Sequence, residues 1–193
     1  MDADGSNLRR LTDRVGYDGG PWFSPDGKKI VWRAWYPESP GEETQWRECM
    51  EKNYILPVAL DLWIMDADGS NKTRILHNGA TNFAPSWHPD GRRIIFASNM
   101  DDWHADIGKY GHNFELYLIN IDGTGLERIT FNKVFDSFPM FSSDGRKLVL
   151  TGRVVRRART ELPSTVPRGF GFRLADEWPD YEDLFRPPPD KDE

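Results

Sequence analysis

Met65-Asp66-Ala67-Asp68-Gly69-Ser70-Asn71 decides the fold, because the same seven letters stand at Met1 to Asn7. A looser third copy runs Asn120-Ile121-Asp122-Gly123-Thr124-Gly125. Each copy precedes a second motif: Phe23-Ser24-Pro25-Asp26-Gly27, Trp87-His88-Pro89-Asp90-Gly91 and Phe141-Ser142-Ser143-Asp144-Gly145. The distance between the paired glycines is 22 residues in all three cases: Gly5 to Gly27, Gly69 to Gly91, Gly123 to Gly145. A ruler that repeats this strictly marks a repeat architecture.

Both motifs are turns. In Asp-Ala-Asp-Gly the aspartates can accept turn amides, and glycine takes the positive φ of a tight hairpin. In Pro-Asp-Gly, proline presets the first corner and glycine again takes the left-handed position. Short apolar runs flank them, such as Leu62 to Met65, Ile94 to Phe96, Leu116 to Ile119 and Leu148 to Leu150. Runs this short, bounded by turns, read as strands. Strand a (Asn82 to Trp87, for example) ends at Pro-Asp-Gly, b follows, c leads to Asp-Gly, and d ends at Arg10-Leu11-Thr12, Arg74-Ile75-Leu76 or Arg128-Ile129-Thr130. Four-stranded antiparallel units in series predict an all-β fold, a partial β-propeller of about three blades.

Composition agrees and narrows the function. The chain has 193 residues, 38% hydrophobic and 29% charged, with a formal charge of −6. That charge argues against nucleic acid as a partner. No apolar run reaches the roughly 18 to 20 residues of a membrane helix. One cysteine, Cys49, excludes an internal disulfide framework. Residues 1–12 lack a basic stretch followed by an apolar one and so do not read as a signal peptide. They read instead as a start in the middle of a repeat, which predicts a piece of a longer propeller. Two half-propellers that self-associate would also complete a ring.

The run of MDADGSN, then RRLT, then FSPDGKKIVW resembles the WD40-like Pro-Asp-Gly repeats of the TolB-like β-propeller family over most of residues 1–151. Asn113 to Tyr117, Phe138 to Ser142 and Phe172 to Asp176 are similar to the family's last blades. Ser143 departs from the expected proline, and 153–171 is longer and more basic than the family's loop. The resemblance implies a propeller of about six blades, protein–protein binding, and, for many members, a periplasmic or secreted location. No cofactor is expected.

The spacing outside the fixed ruler varies: 42 residues from Gly27 to Gly69 and 32 from Gly91 to Gly123. The excess lies between strands b and c, predicting insertions at 34–60 and 100–113, with a third at 153–171. In an up-and-down blade the b–c and d–a loops share one face, and insertions on one face of a repeat commonly bind. Ser39-Pro40-Gly41-Glu42 has capping-box spacing, predicting a helix with Trp46, Met50 and Tyr54 along one stripe. That helix either covers the rim or binds a partner. Candidate binding residues on the insertions are Trp35, Trp46, Trp103, His104 and His112. Two histidines and three carboxylates within 101–112 match no compact metal motif, so a solvated loop is expected and no metal is assigned. Counting Asp66 as the first position of a calcium loop puts His77 where a bidentate glutamate is needed, which excludes that reading.

Asp18, Asn82 and Asp136 each lie nine residues before a Pro-Asp-Gly glycine, at the predicted channel mouth. They either hold neighbouring blades in register or form a polar rim for a ligand or peptide. Arg153, Arg156, Arg157 and Arg159 form one basic cluster, read as a loop face or partner contact. Residues 179–193 form an acidic, proline-rich tail that cannot order itself by apolar burial. The leading functional expectation is a non-catalytic interaction scaffold for a protein partner. The alternatives are the propeller portion of a prolyl-oligopeptidase-type hydrolase or metal-dependent sugar lyase, or a carbohydrate- or peptide-binding propeller. The sequence holds no Gly-x-Ser-x-Gly nucleophile motif and assigns no catalytic residue.

Overall fold

The computed structural model describes residues 1–54, 59–105, 108–132 and 135–152. Its first sheet is built from β1 (Tyr17–Phe23), β2 (Lys29–Trp35), β3 (Asp61–Asp66) and β4 (Thr73–Leu76), antiparallel and in chain order. Helix α1 (Pro40–Glu51) lies in the β2–β3 connection. The second sheet takes β5 (Asn82–Trp87) and β6 (Arg93–Ser98), then β9 (Glu115–Asn120) and β10 (Glu127–Arg128). Between β6 and β9 sits a separate small hairpin, β7 (Trp103–His104) with β8 (Lys109–Tyr110). A third sheet begins with β11 (Asp136–Phe141) paired to β12 (Leu148–Gly152). The strand predicted near 172–176, the arginine cluster and the acidic tail lie outside the described residues.

The repeated letters produce repeated geometry. Asp68 Oδ1 accepts the Ser70 amide at 2.8 Å and the Ser70 hydroxyl at 2.5 Å, and Asp4 with Ser6 and Asp122 with Thr124 do the same. The left-handed residue that closes this turn is Asn7, Asn71 or Gly125, with φ of 53°, 53° and 64°. At the other turn, Asp26, Asp90 and Asp144 accept the amides of Lys28, Arg92 and Arg146. Ser143 replaces proline without breaking the turn, because the Gly145 amide still reaches the Ser142 carbonyl at 2.8 Å. Each a-strand also carries a bulge, with Gly20, Ala84 and Phe138 at φ of 58°, 51° and 50°. A bulge sharpens the local twist, so the innermost strand of every blade bends at the same place.

Alternation along the strands makes the seams between sheets. Val31 faces the second sheet and packs in one core with Ile75, Trp87, Ile94, Phe96 and Ile119. Ile95, Ala97, Leu116 and Leu118 point the other way and pack with Phe141, Leu148 and Leu150 of the third sheet. The period of two that defines a strand thus gives both faces of the middle sheet an apolar layer. Each large aliphatic or aromatic side chain fully buried there contributes about 1.5–3 kcal/mol. Backbone hydrogen bonds repeat across the seams too. The Asn82 amide donates to the Leu60 carbonyl at 3.1 Å and the Asp136 amide to the Phe114 carbonyl at 2.9 Å.

Residues 10–12 correct one expectation: Arg10-Leu11-Thr12 is not a strand. It nevertheless keeps the local habit of strand d, with Arg10 Nε donating to the Thr12 carbonyl as Arg128 Nε does to Thr130. Leu11 lies beside Gly69, as the Ile75 backbone lies beside Gly123. Sheet strands need a paired neighbour. Among the described residues, the segment has the position of an outer strand without a ladder to join.

Candidate functional site: the insertion face

The antiparallel registers put the start of β1, the end of β2, the start of β3 and the end of β4 at one edge, with Tyr17 opposite Trp35, Ala34 opposite Asp61 and Leu62 opposite Leu76. Both connections that hold extra structure leave from that edge, opposite the Pro-Asp-Gly and Asp-Gly turns. The capping box forms as its spacing requires: the Glu42 amide donates to Ser39 Oγ at 3.3 Å, and the Ser39 amide donates to Glu42 Oε2 at 3.1 Å. Trp46 then turns inward and is buried, packed against Trp35 with centroids 5.1 Å apart and the rings tilted by 40°. The expected stripe is shorter than its spacing suggests, because the helix stops at Glu51 and Tyr54 lies beyond the cap, exposed. Lys52 and Asn53 close the end, with Asn53 at φ 53°.

The second insertion is not a plain loop. Trp103 and Tyr110 pack edge to face at 4.8 Å across the β7–β8 hairpin. Trp103 remains half exposed. His104 Nε2 lies 3.2 Å from Asp102 Oδ1, and His112 is exposed nearby in sequence. The sequence pattern missed this hairpin because a two-residue strand is too short for periodicity to register. Among the described residues, no three of His, Cys, Asp or Glu converge on one point. The structure therefore brings Trp35 and Trp46 together and sets Trp103 with His104 on the other insertion. No ring contact joins the two groups among the described residues.

Asp18, Asn82 and Asp136 occupy one repeat position in three environments. Asp18 Oδ1 accepts from Trp32 Nε1 at 2.9 Å and from the Tyr36 hydroxyl at 2.5 Å. Asn82 is fully buried, and its Nδ2 donates to the Leu60 carbonyl at 2.7 Å and to Asn78 Oδ1 at 2.8 Å. Asp136 Oδ2 accepts from Asn132 Nδ2 at 2.5 Å. Burial pushes the Asp136 carboxyl up to about 6, helped by the charge of Glu115 and opposed by the Asn132 and Thr130 hydrogen bonds. The backbone amides of Asn82 and Asp136 bond to carbonyls in the segments that lead into β3 and β9.

Sequence reasoning missed a charged cluster that recurs at this edge. In the first sheet Arg74 Nη1 meets Glu38 at 2.9 Å and Asp61 at 3.3 Å, with His77 Nδ1 3.0 Å from Asp61. In the second, Arg128 meets Asp101 at 2.8 Å and Glu115 at 3.1 Å. Arg74 and Arg128, like Asp61 and Glu115, are equally placed from their Asp-Gly glycines. That register was the available signal. The Tyr117 hydroxyl completes the second cluster at 2.9 Å from Asp101 Oδ2, and burial together with that carboxylate raises its pKa well above the usual phenol range.

This geometry defines a class: antiparallel four-stranded blades packed face to face, with tight turns on one side and insertions on the other, as in β-propellers. No protein-family model matches the chain. It is 28% identical over 131 residues to an uncharacterised protein of Agrobacterium fabrum, a match covering 68% of this chain and 39% of that protein. It is 34% identical over 86 residues to the Tol-Pal system protein TolB of Alcanivorax borkumensis, covering 45% of this chain and 18% of the relative. A solved structure from Agrobacterium tumefaciens, provisionally named TolB, aligns over 74% of this chain and 40% of its own at 26% identity and a TM-score of 0.52. The chain is TolB-like over part of its length. It spans well under two thirds of the curated relatives it matches. A puromycin-hydrolysing peptidase from Mycobacterium tuberculosis aligns at a TM-score of 0.52 and 15% identity, over 77% of this chain and 20% of its own. That likeness is one of fold.

Proposed function

We propose that this chain is a non-catalytic propeller module that binds partner proteins through the face carrying α1 and the β7–β8 hairpin. The observation behind this reading is the asymmetry of the blades. Extra structure gathers at one edge and exposes Tyr54 and Trp103 there, while the connections at the opposite edge are tight turns. The naming of one relative as a Tol-Pal system protein supports a role in an assembly. Trp103 is the residue to change first, because it is exposed and its loss leaves the sheet cores untouched, whereas Trp46 anchors α1. An aromatic anchor of this kind commonly carries 2 kcal/mol or more of binding, so Trp103→Ala should lower recovery of the captured partner by roughly tenfold or more. Capture from native extract by immobilised chain tests this. Undiminished recovery by Trp103→Ala and by His104→Ala would overturn it, and peptide hydrolysis by the purified chain would replace it with the enzymatic reading.

Met140 and Val149 face outward at the seam positions that Ser86 and Ile95 hold in the preceding sheet. In this proposal further blades pack across that edge to complete a propeller. Sedimentation over a range of concentrations asks whether a second copy supplies them. A species of twice the monomer mass is expected if it does, and a single monomeric species at every concentration rules a second copy out.

A further inference from the structure

On the insertion face, Tyr36 and Trp63 meet edge to face at 5.4 Å and floor a cavity of about 160 Å³. Its walls are Glu38, Asp61 and Arg74. Into it, from the segment ahead of β1, reaches Arg14, whose guanidinium carbon lies 4.1 Å from the Tyr36 ring centroid and 5.8 Å from that of Trp63. Glu38 and Asp61 supply two negative charges, and Arg74, bonded to both, supplies one positive. The pocket therefore carries a net negative charge that Arg14 balances. Arg74's hydrogen bond first, then its charge, with smaller help from His77 and Arg14, keep the Glu38 carboxyl below its usual range. Trp63 Nε1 is buried without a hydrogen-bond partner among the described residues.

Aromatic faces beside carboxylates are the chemistry that selects a guanidinium: the rings attract the cation face-on and the carboxylates take its N–H groups. Arg14 uses only the first of these. It is exposed and held over the rings, while the carboxylates are engaged with Arg74. Such a contact is worth about 0.5–1 kcal/mol at an exposed site, weak enough for a better-placed arginine to displace it.

We infer that this pocket receives an arginine side chain of a protein partner, and that Arg14 occupies it in cis until displaced. The inference rests on the reading of this face as the binding face, and it supplies the chemistry of the contact. The test is titration of the full chain with N-acetyl-arginine amide, followed by tryptophan fluorescence and by the Trp63 indole NMR signal. Removing Arg14 should tighten binding by about three- to fivefold, the equivalent of a surface cation–π contact, in both Arg14→Ala and Arg14→Gln. Adding Glu38→Gln to either should cancel the gain, since Glu38 is an exposed wall of the pocket. The neutral isostere N-acetyl-citrulline amide should not bind. Equal affinity of wild type and both Arg14 variants, or equal binding of the citrulline probe, overturns the inference. No partner enters this titration, so its failure is separate from failure of the capture experiment.

Discussion

A carboxylic acid at the seam between sheets shows how one repeat position acquires different chemistry. Asp18, Asn82 and Asp136 are equivalent in sequence, yet Asp18 is exposed whereas Asn82 and Asp136 are buried against a preceding sheet. Burial favours the neutral form of an acid, and the Asp136 carboxyl rises accordingly to about 6 from an ordinary value of 3.8. The folded chain thus holds this proton more tightly than the unfolded chain. The stabilisation that follows is complete below pH 4, declines between pH 4 and 6, and is absent above that. Asp136→Asn keeps an oxygen to accept from Asn132 and removes the charge. It should raise unfolding free energy at pH 8 by about 2 kcal/mol relative to wild type, and the advantage should vanish below pH 4. Urea denaturation at stepped pH measures this. A difference that does not change with pH would show that charge is not what the substitution removes. The nine-residue spacing revealed the shared position, but the burial of two of its three members depends on a neighbouring sheet that spacing alone does not supply.

Elements were legible in proportion to how local their causes are. The Ser39-Pro40-Gly41-Glu42 box starts α1 where its letters require, since capping involves only residues within one turn. The Asp-Gly and Pro-Asp-Gly turns follow for the same reason. Arg10 to Thr12 and the β7–β8 hairpin were not legible, because a strand needs a partner ladder and the hairpin rests on one ring pair, Trp103 with Tyr110. The same distinction governs how α1 should respond to substitution. Ser39→Ala removes the acceptor for the Glu42 amide and should cost about 1 kcal/mol, felt as faster hydrogen exchange across 40–51. Trp46→Ala removes the buried ring that packs against Trp35, and a buried tryptophan deleted from a packed site costs about 3–5 kcal/mol. Exchange protection of α1 should then collapse while β5, β6 and β9 keep theirs. If those strands lost protection equally, α1 would be part of the sheet core rather than a rim cover.

At the scale of the molecule, stability is a property of seams, and a repeat allows one position to be tested inside and at the edge. Ile95 and Val149 are equivalent, each four residues past a Pro-Asp-Gly or Ser-Asp-Gly glycine and each on the same face of its b-strand. Ile95 is fully buried against the third sheet, whereas Val149 is 61% exposed. Nearest-neighbour packing dominates the energetics of repeat arrays, so equivalent positions contribute unequally when one lacks a neighbour. Ile95→Ala should cost about 2–5 kcal/mol through lost burial and the cavity left behind. Val149→Ala should cost under about 0.5 kcal/mol in a dilute monomer. Chemical denaturation of both variants, at low and at high protein concentration, measures the contrast. A loss at Val149 that grows with concentration is what packing of a second copy across the Met140–Val149 edge predicts, because a seam that forms only between copies gains its stability by mass action. A loss that is large at every concentration would mean that the face is already covered within one chain, and the free edge would then not be a seam at all.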